Sequence, residues 1–208
     1  MLLHKLFRKM KRGQIFTKIY KSNYWPSLET PCGPGSTLEY TEQLRRELPD
    51  LLRSLKIKKL LDIPCGDFHW MQHVDLSNIE YTGGDIVKEL IEKNKAQFPQ
   101  QRFIHVDLIQ DTLPYADLLL CRDCFIHLNN KDVLSVIRKI KKTGIPYILT
   151  NTYPETTNNT DIRDGGYRMI NLQQPPFNFP SPVTQLKDYI KDYPIRYLGL
   201  WKTADLKV

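Results

Sequence analysis

The sequence predicts an α/β fold, a doubly wound and mostly parallel sheet of six to seven strands with helices on both faces. Three observations carry this expectation. From residue 58 onward, short apolar runs of strand character alternate with stretches of helical periodicity, the pattern of successive β–α units. The chain has 208 residues, enough for one domain that buries about 70% of its unfolded surface. Its composition, 41% hydrophobic and 25% charged, is that of a globular protein rather than a disordered one.

The first residues are set apart by charge. Lys5, Arg8, Lys9, Lys11, Arg12, Lys18 and Lys21 all precede the first acid, Glu29, so the formal charge of +7 belongs to this segment and the remainder is balanced. Leu2, Leu3, Leu6, Phe7 and Met10 recur among the bases at roughly helical spacing, which predicts an amphipathic helix docked on the body with a solvated basic face. Contact with an anionic substrate or an acidic membrane surface is the alternative use of those bases. Lys5, Arg8 and Lys9 interrupt the apolar stretch that a secretory leader needs. Pro31-Cys32-Gly33-Pro34-Gly35 reads as a loop, and Ser36 with Glu39 three residues on reads as a capping box that starts a helix. Leu38, Leu44, Leu48, Leu51, Leu52 and Leu55 fit one helical face, with Pro49 a break or a new start. Residues 1–55 are thus expected as a basic helix and cap segment, and 56–208 as the main domain.

Leu60-Leu61-Asp62-Ile63 predicts the first strand, followed by Pro64-Cys65-Gly66. A strand over Ile79–Asp85, a helix over Val87–Phe98 closed by Pro99, and strands over Arg102–Val106 and Ala116–Cys121 follow. Asn129 or Asn130 caps a helix carrying Val133, Val136, Ile137 and Ile140, and Tyr147–Thr150 is the next strand. Residues 151–166 are polar and long for a plain connection. A Pro/aromatic segment over 175–180, a short helix over Thr184–Ile190 and a final strand over Arg196–Trp201 complete the chain. Long loops leaving the carboxyl end of a central strand are where such sheets place substrate sites.

No apolar run approaches the length of a bilayer span. Four cysteines do not make a disulfide scaffold, so a reduced, cytoplasmic chain is expected. Cys121 and Cys124 have C-x-x-C spacing without a second pair for zinc, so thiols and no metal are expected there.

The strand ends carry the chemistry. Strand, tight glycine-containing turn and helix form a nucleotide-binding arrangement, in which an acid about 20 residues on binds a ribose. Gly66 is such a glycine, and Asp85 stands at the end of the second predicted strand. A carboxylate suits the role because it accepts hydrogen bonds from both ribose hydroxyls. A dinucleotide fold calls for G-x-G-x-x-G, so that pyrophosphate rests on a helix N-terminus. The turn Asp62-Ile63-Pro64-Cys65-Gly66-Asp67 has one glycine and two acids, which would repel pyrophosphate and suit a cationic ligand without phosphate. No G-x-x-x-x-G-K-[ST] is present, which removes the P-loop nucleotidases.

At these residues the chain resembles the class I S-adenosylmethionine-dependent methyltransferases. Leu60–Asp67 is similar to that family's first motif, a strand ending in D-x-G-x-G-x-G, and Asp85 to its ribose acid. Asp107 resembles the residue that meets the adenine amino group, and Asp117–Asp123 the fourth strand, whose end lies under the methionine moiety. Pro64 and Phe68 stand where the family carries glycine, a D-x-P-C-G-D form similar to a variant of small bacterial members. The resemblance implies a Rossmann-like methyltransferase domain with S-adenosyl-L-methionine as cofactor. It places Asp62, Pro64, Cys65, Gly66, Asp67, Asp85, Ile86, Asp107, Leu108, Cys121 and Arg122 at the cofactor.

Methyl transfer from a sulfonium asks the protein for alignment, desolvation and, for a hydroxyl acceptor, proton removal. Asp123 and His127, just past the fourth strand, are the catalytic candidates, His127 being a base suited to neutral pH or a packed histidine at a helix start. His69 is a second candidate base, with packing as its alternative. Arg122 pairs with the cofactor carboxylate or an acidic acceptor, or forms a structural salt bridge. The loops over 151–168 and 175–182 are expected to shape an acceptor site, and the 33–37 loop to close over the cofactor or hold its carboxylate. The expected reaction methylates an oxygen or nitrogen of a small-molecule or glycan acceptor. An RNA methyltransferase gripping phosphates through residues 1–21 and a non-catalytic binding module are the alternatives. The body carries no RNA-binding motif, so nucleic acid is the less favoured partner.

Overall fold

The computed structural model describes residues 10–207. Leu2, Leu3, Leu6 and Phe7, the first part of the expected basic helix, lie outside the described residues. Seven strands form one sheet: β1 (Lys59–Asp62), β2 (Glu80–Asp85), β3 (Arg102–His105), β4 (Leu118–Cys121), β5 (Tyr147–Thr152), β6 (Thr184–Lys187) and β7 (Tyr197–Lys202). Their order is β3-β2-β1-β4-β5-β7-β6. The first five run parallel, β7 is antiparallel to β5, and β6 is antiparallel to β7. Among the described residues four α-helices accompany them: α1 (Arg12–Lys21), α2 (Glu42–Ser54), α3 (Lys88–Gln97) and α4 (Asn130–Thr143).

Alternation along the central strands divides the core between the two faces. Leu61, Leu119 and Ile148 pack with Val133, Val136, Ile137 and Ile140 of α4. Leu60, Leu118, Leu120 and Leu149 pack with Leu44, Leu48 and Leu52 of α2. From β1 the chain moves outward through β2 and β3, then returns to β4 on the other side of β1. The carboxyl ends of β1 and β4 therefore flank the switch point where open α/β sheets open a crevice.

Several expectations are corrected. Ser36 does not start a helix; Pro34–Ser36 is a single 3-10 turn and α2 begins at Glu42. Thr41 is the residue that precedes α2, and its backbone N–H and hydroxyl both donate to the Thr37 carbonyl, at 3.1 and 2.8 Å. Pro49 neither breaks nor restarts α2 but lies buried inside it, between Leu48 and Leu51. Burial of that face compensates for the one missing backbone donor. Asn129, rather than Asn130, caps α4, accepting from the Asp132 N–H at 2.9 Å. The short helix expected over Thr184–Ile190 is the edge strand β6. Only Leu186 is buried among its four residues, so no helical face exists to bury, and pairing with β7 satisfies the backbone instead.

Candidate functional site

A cavity opens at the carboxyl ends of β1, β2, β3 and β4, with about 1090 Å³ of empty space when its mouth is included. Asp62, Pro64, Cys65, Gly66, Asp67, Asp85, Ile86, Asp107, Leu108, Arg122, Asp123 and His127 all line it. Cys121 does not. Its side chain is fully buried in the apolar core with Leu61, Leu119 and Ile148, so the expected cofactor contact is corrected to a packing role.

The β1 turn is shaped for close approach. Gly66 has φ +55°, and a Cβ there would lie 2.8 Å from Cys32 Sγ, so both backbone and space require glycine. The Cys65 N–H donates to the Gly84 carbonyl at 2.8 Å, and Asn94 Nδ2 donates to the Gly66 carbonyl at 2.8 Å. Asp85 joins the two turns by accepting from the backbone N–H of Gly66 at 3.3 Å and of Val87 at 2.9 Å. Burial pushes its carboxyl up to about 6 against those hydrogen bonds. Burial likewise lifts Asp62 to about 7, opposed by the Tyr81 hydroxyl at 2.8 Å and by Arg122. Asp107 Oδ1 accepts from Ile109 N–H at 2.8 Å and Gln110 N–H at 3.2 Å, while Oδ2 faces Arg12 at 3.5 Å.

Two arginines and two aspartates close the β4 end. Arg122 holds Asp188 at 2.9 Å and Asp123 at 3.1 Å, and donates to the Gly35 carbonyl at 2.6 Å. Arg196 holds Asp123 at 2.6 Å and Asp188 at 3.1 Å. Asn151 Nδ2 donates to Asp188 at 2.7 Å, and Asn151 Oδ1 accepts from the Asp123 N–H at 2.6 Å. Burial works to raise the Asp123 carboxyl, yet the two guanidiniums hold it down at about 2. Such a carboxylate is a poor proton acceptor near neutrality.

His127 sits beside this network. Its Nδ1–H donates to the Gly166 carbonyl at 2.7 Å, which leaves Nε2 as the acceptor of the neutral ring. The ring stacks on Trp25 at 4.4 Å, and burial lowers its pKa against the Gly166 bond and Asp123. His69, the second candidate base, is instead paired with Glu29 at 2.5 Å and does not line the cavity.

Sequence reasoning missed the residues that cover the cavity. Arg12, Phe16 and Tyr20 of α1 and Trp25 all line it. Arg12 is turned inward to Asp107, Asp132 and Asp164, so the basic face of α1 is not wholly solvated as expected. Asn94 carried a readable signal: with Leu90 and Ile91 it occupies the buried stripe of α3, where a polar side chain must find a partner. Among the described residues, no helix is long and apolar enough to cross a membrane, and no three His, Cys, Asp or Glu side chains gather as a metal site.

No family model matches the chain, and no curated protein does. Solved structures do. A SAM-dependent methyltransferase from Leishmania major superposes with a TM-score of 0.69 at 13% identity, over 91% of this chain and 82% of that one. Magnesium protoporphyrin IX methyltransferase from Synechocystis PCC 6803, solved with bound SAM, gives 0.59 at 11% identity over 93% and 98%. Human N-acetylserotonin methyltransferase, in complex with SAM, gives 0.55 at 16% identity over 93% of this chain and 60% of that one.

The fold is the class I methyltransferase fold. Within it, the cavity of this chain lies at the carboxyl ends of the parallel strands, with Asp85 at the end of β2 and Gly66 in the turn after β1.

Proposed function

We propose that the chain is an S-adenosylmethionine-dependent methyltransferase acting on an oxygen or nitrogen of a small, uncharged polar acceptor of carbohydrate type. The observation that carries the cofactor reading is Asp85, a buried carboxylate at the end of β2 joined to both flanking turns by backbone hydrogen bonds. The other residues fit the same group. Carboxylates outnumber guanidiniums in the lining, which favours a cationic ligand and disfavours phosphate. Gly66, whose φ of +55° keeps the turn tight and whose missing Cβ makes room for Cys32, brings the backbone of this turn to the cavity wall. Asp85 would accept from ribose hydroxyls, Asp107 and Leu108 would flank the base, and Cys65, Gly66 and Asp67 would border the methionine end. When bound, S-adenosylmethionine supplies a methyl group on a sulfonium leaving group.

The acceptor side supports an uncharged substrate. Arg122 and Arg196 are each committed to Asp123 and Asp188, so neither guanidinium is open to a phosphate or carboxylate. The Trp25 ring and Tyr167, whose ring lies 6.0 Å from His127, offer apolar faces for a ring-bearing acceptor. His127 would take the acceptor proton at Nε2, while Asp123 fixes the arginines rather than acting as the base. RNA is the weaker reading because Arg12, one of the seven N-terminal bases, is buried against three acids. Free thiols at Cys32, Cys65, Cys121 and Cys124 support a reducing, cytoplasmic setting.

Calorimetry with S-adenosylhomocysteine tests the cofactor reading. The parent chain is expected to bind, and Asp85→Ala to bind roughly ten- to a hundredfold more weakly, the worth of a hydrogen bond to a buried charged group. Hydroxyl donors favour the ionised carboxylate, so parent affinity is level above pH 6 and falls as Asp85 is protonated below it. Equal affinity of parent and Asp85→Ala would falsify the assignment.

A further inference from the structure

We infer that Arg12 is a positioning residue that fastens α1 across the cofactor cavity and thereby sets how long a bound ligand is retained. The inference rests on the methyltransferase reading above. α1 supplies Arg12, Phe16 and Tyr20 to the cavity wall, so it covers one side of a bound ligand, and lifting α1 would widen the way out.

The C-terminal end of α1 is tied by Lys21 to Glu89 and by the Tyr20 hydroxyl to Lys93, each at 2.8 Å, and two further sets of contacts hold the rest of the helix down. Ile15 and Ile19, 5% and 2% exposed, lie against Gly165, where a Cβ would come within 2.6 Å of Ile15 Cγ2. The Arg12 guanidinium meets Asp132 at 2.5 Å and Asp164 at 3.3 Å through Nη1, and Asp107 at 3.5 Å through Nη2. Those acids belong to three separate segments: the end of β3, the first turn of α4 and the loop before Gly165. One guanidinium therefore ties three parts of the domain to α1.

Only Asp107 among these acids lines the cavity. Its Oδ1 is already fixed by two backbone N–H groups, so its orientation is set and Oδ2 is left to Arg12. Asp132 and Asp164 are themselves linked through Asn129, whose side-chain amide donates to them at 3.0 and 2.7 Å. Arg12 Nε is buried without a hydrogen-bond partner among the described residues, so burial of this side chain is offset by its acids alone. Removing the guanidinium leaves three carboxylates around one gap and no charge holding α1 over Asp107. The same docking reaches the acceptor side. Gly165 donates to the His127 carbonyl at 2.9 Å, and Gly166 accepts from the His127 ring.

The experiment measures release of S-adenosylhomocysteine by stopped flow, using the fluorescence of Trp25 and Trp70 in the cavity wall. Amide exchange of residues 12–21 is followed in parallel, with and without that ligand. Arg12→Ala is expected to release it about tenfold faster than the parent, since changes at one site fall mostly on the dissociation rate. It should also lose the ligand-dependent protection of α1. Arg12→Lys, which keeps a charge but cannot fork across three acids, should fall between the two, and Lys11→Ala, at the residue just before α1, should match the parent. Parent-like release from Arg12→Ala and Arg12→Lys overturns the inference. So does loss of α1 protection without faster release, which leaves Arg12 a structural role only. Absence of any binding to the parent overturns the cofactor reading itself and is distinguishable from both.

Discussion

A histidine serves as a base when one ring nitrogen is held as a donor and the other stays open. His127 meets that condition through the Gly166 carbonyl, and stacking on Trp25 fixes the plane of the ring. Burial lowers its pKa below the ordinary histidine value of 6.5, so the neutral, proton-accepting form prevails across the neutral range. If it deprotonates a hydroxyl acceptor, kcat/KM should rise with pH through a midpoint below 6.5 and stay level above it. His127→Gln, which keeps a donor but not a titrating base, should lower kcat by roughly 10²–10⁴-fold and abolish that limb. The readout is methyl transfer followed by S-adenosylhomocysteine release across pH 5 to 8. An unchanged profile in His127→Gln assigns the ring to packing. Asp123 illustrates the opposite outcome: its position past β4 was legible, but Arg196, which holds it, and Asp188, which shares both arginines with it, lie more than sixty residues away in sequence. Only their three-dimensional meeting shows that its carboxyl sits near 2.

At the scale of elements, the parallel half of the sheet and the antiparallel strand β7 were readable, and the edge strand β6 was not. β1, β2 and β4 announce themselves because each strand is buried along nearly its whole length, and β1 and β2 end on an acid. β6 has a single buried residue, and its identity comes from pairing with β7, which no local pattern encodes. That hairpin nevertheless completes the site, because Asp188 follows β6 directly and holds both arginines. Asp188→Ala would leave Arg122 and Arg196 buried with one carboxylate between them, at a cost of about 3–5 kcal/mol. In a domain of this size that corresponds to a melting point lower by roughly 10 °C. Asp188→Asn, which keeps the shape and one set of hydrogen bonds, should lose less. Thermal unfolding followed by circular dichroism decides it, and a variant melting within 2 °C of the parent means that Asp188 does not anchor the arginines.

The whole molecule's charge of +7 invites a polyanion, yet its distribution argues against a large contact. All of the excess lies ahead of Glu29, and the fold withdraws part of it: Arg12 faces three acids and Lys21 pairs with Glu89 at 2.8 Å. Each base that meets a phosphate of single-stranded RNA contributes about 0.7 to the slope of log affinity against log salt. If all seven N-terminal bases reached phosphates, the slope would be about −5; with Arg12 and Lys21 committed elsewhere it should be no steeper than about −3.5. Filter retention of an unstructured RNA between 50 and 200 mM salt measures it. S-adenosylhomocysteine affinity over the same range should change little, since the contacts of Asp85 are buried and barely screened. A slope near −5 would require Arg12 to leave Asp107, and so to open the cavity in the act of binding RNA. In that case the nucleic acid and the cofactor would compete for the chain. The geometry of α1 predicts that they do not.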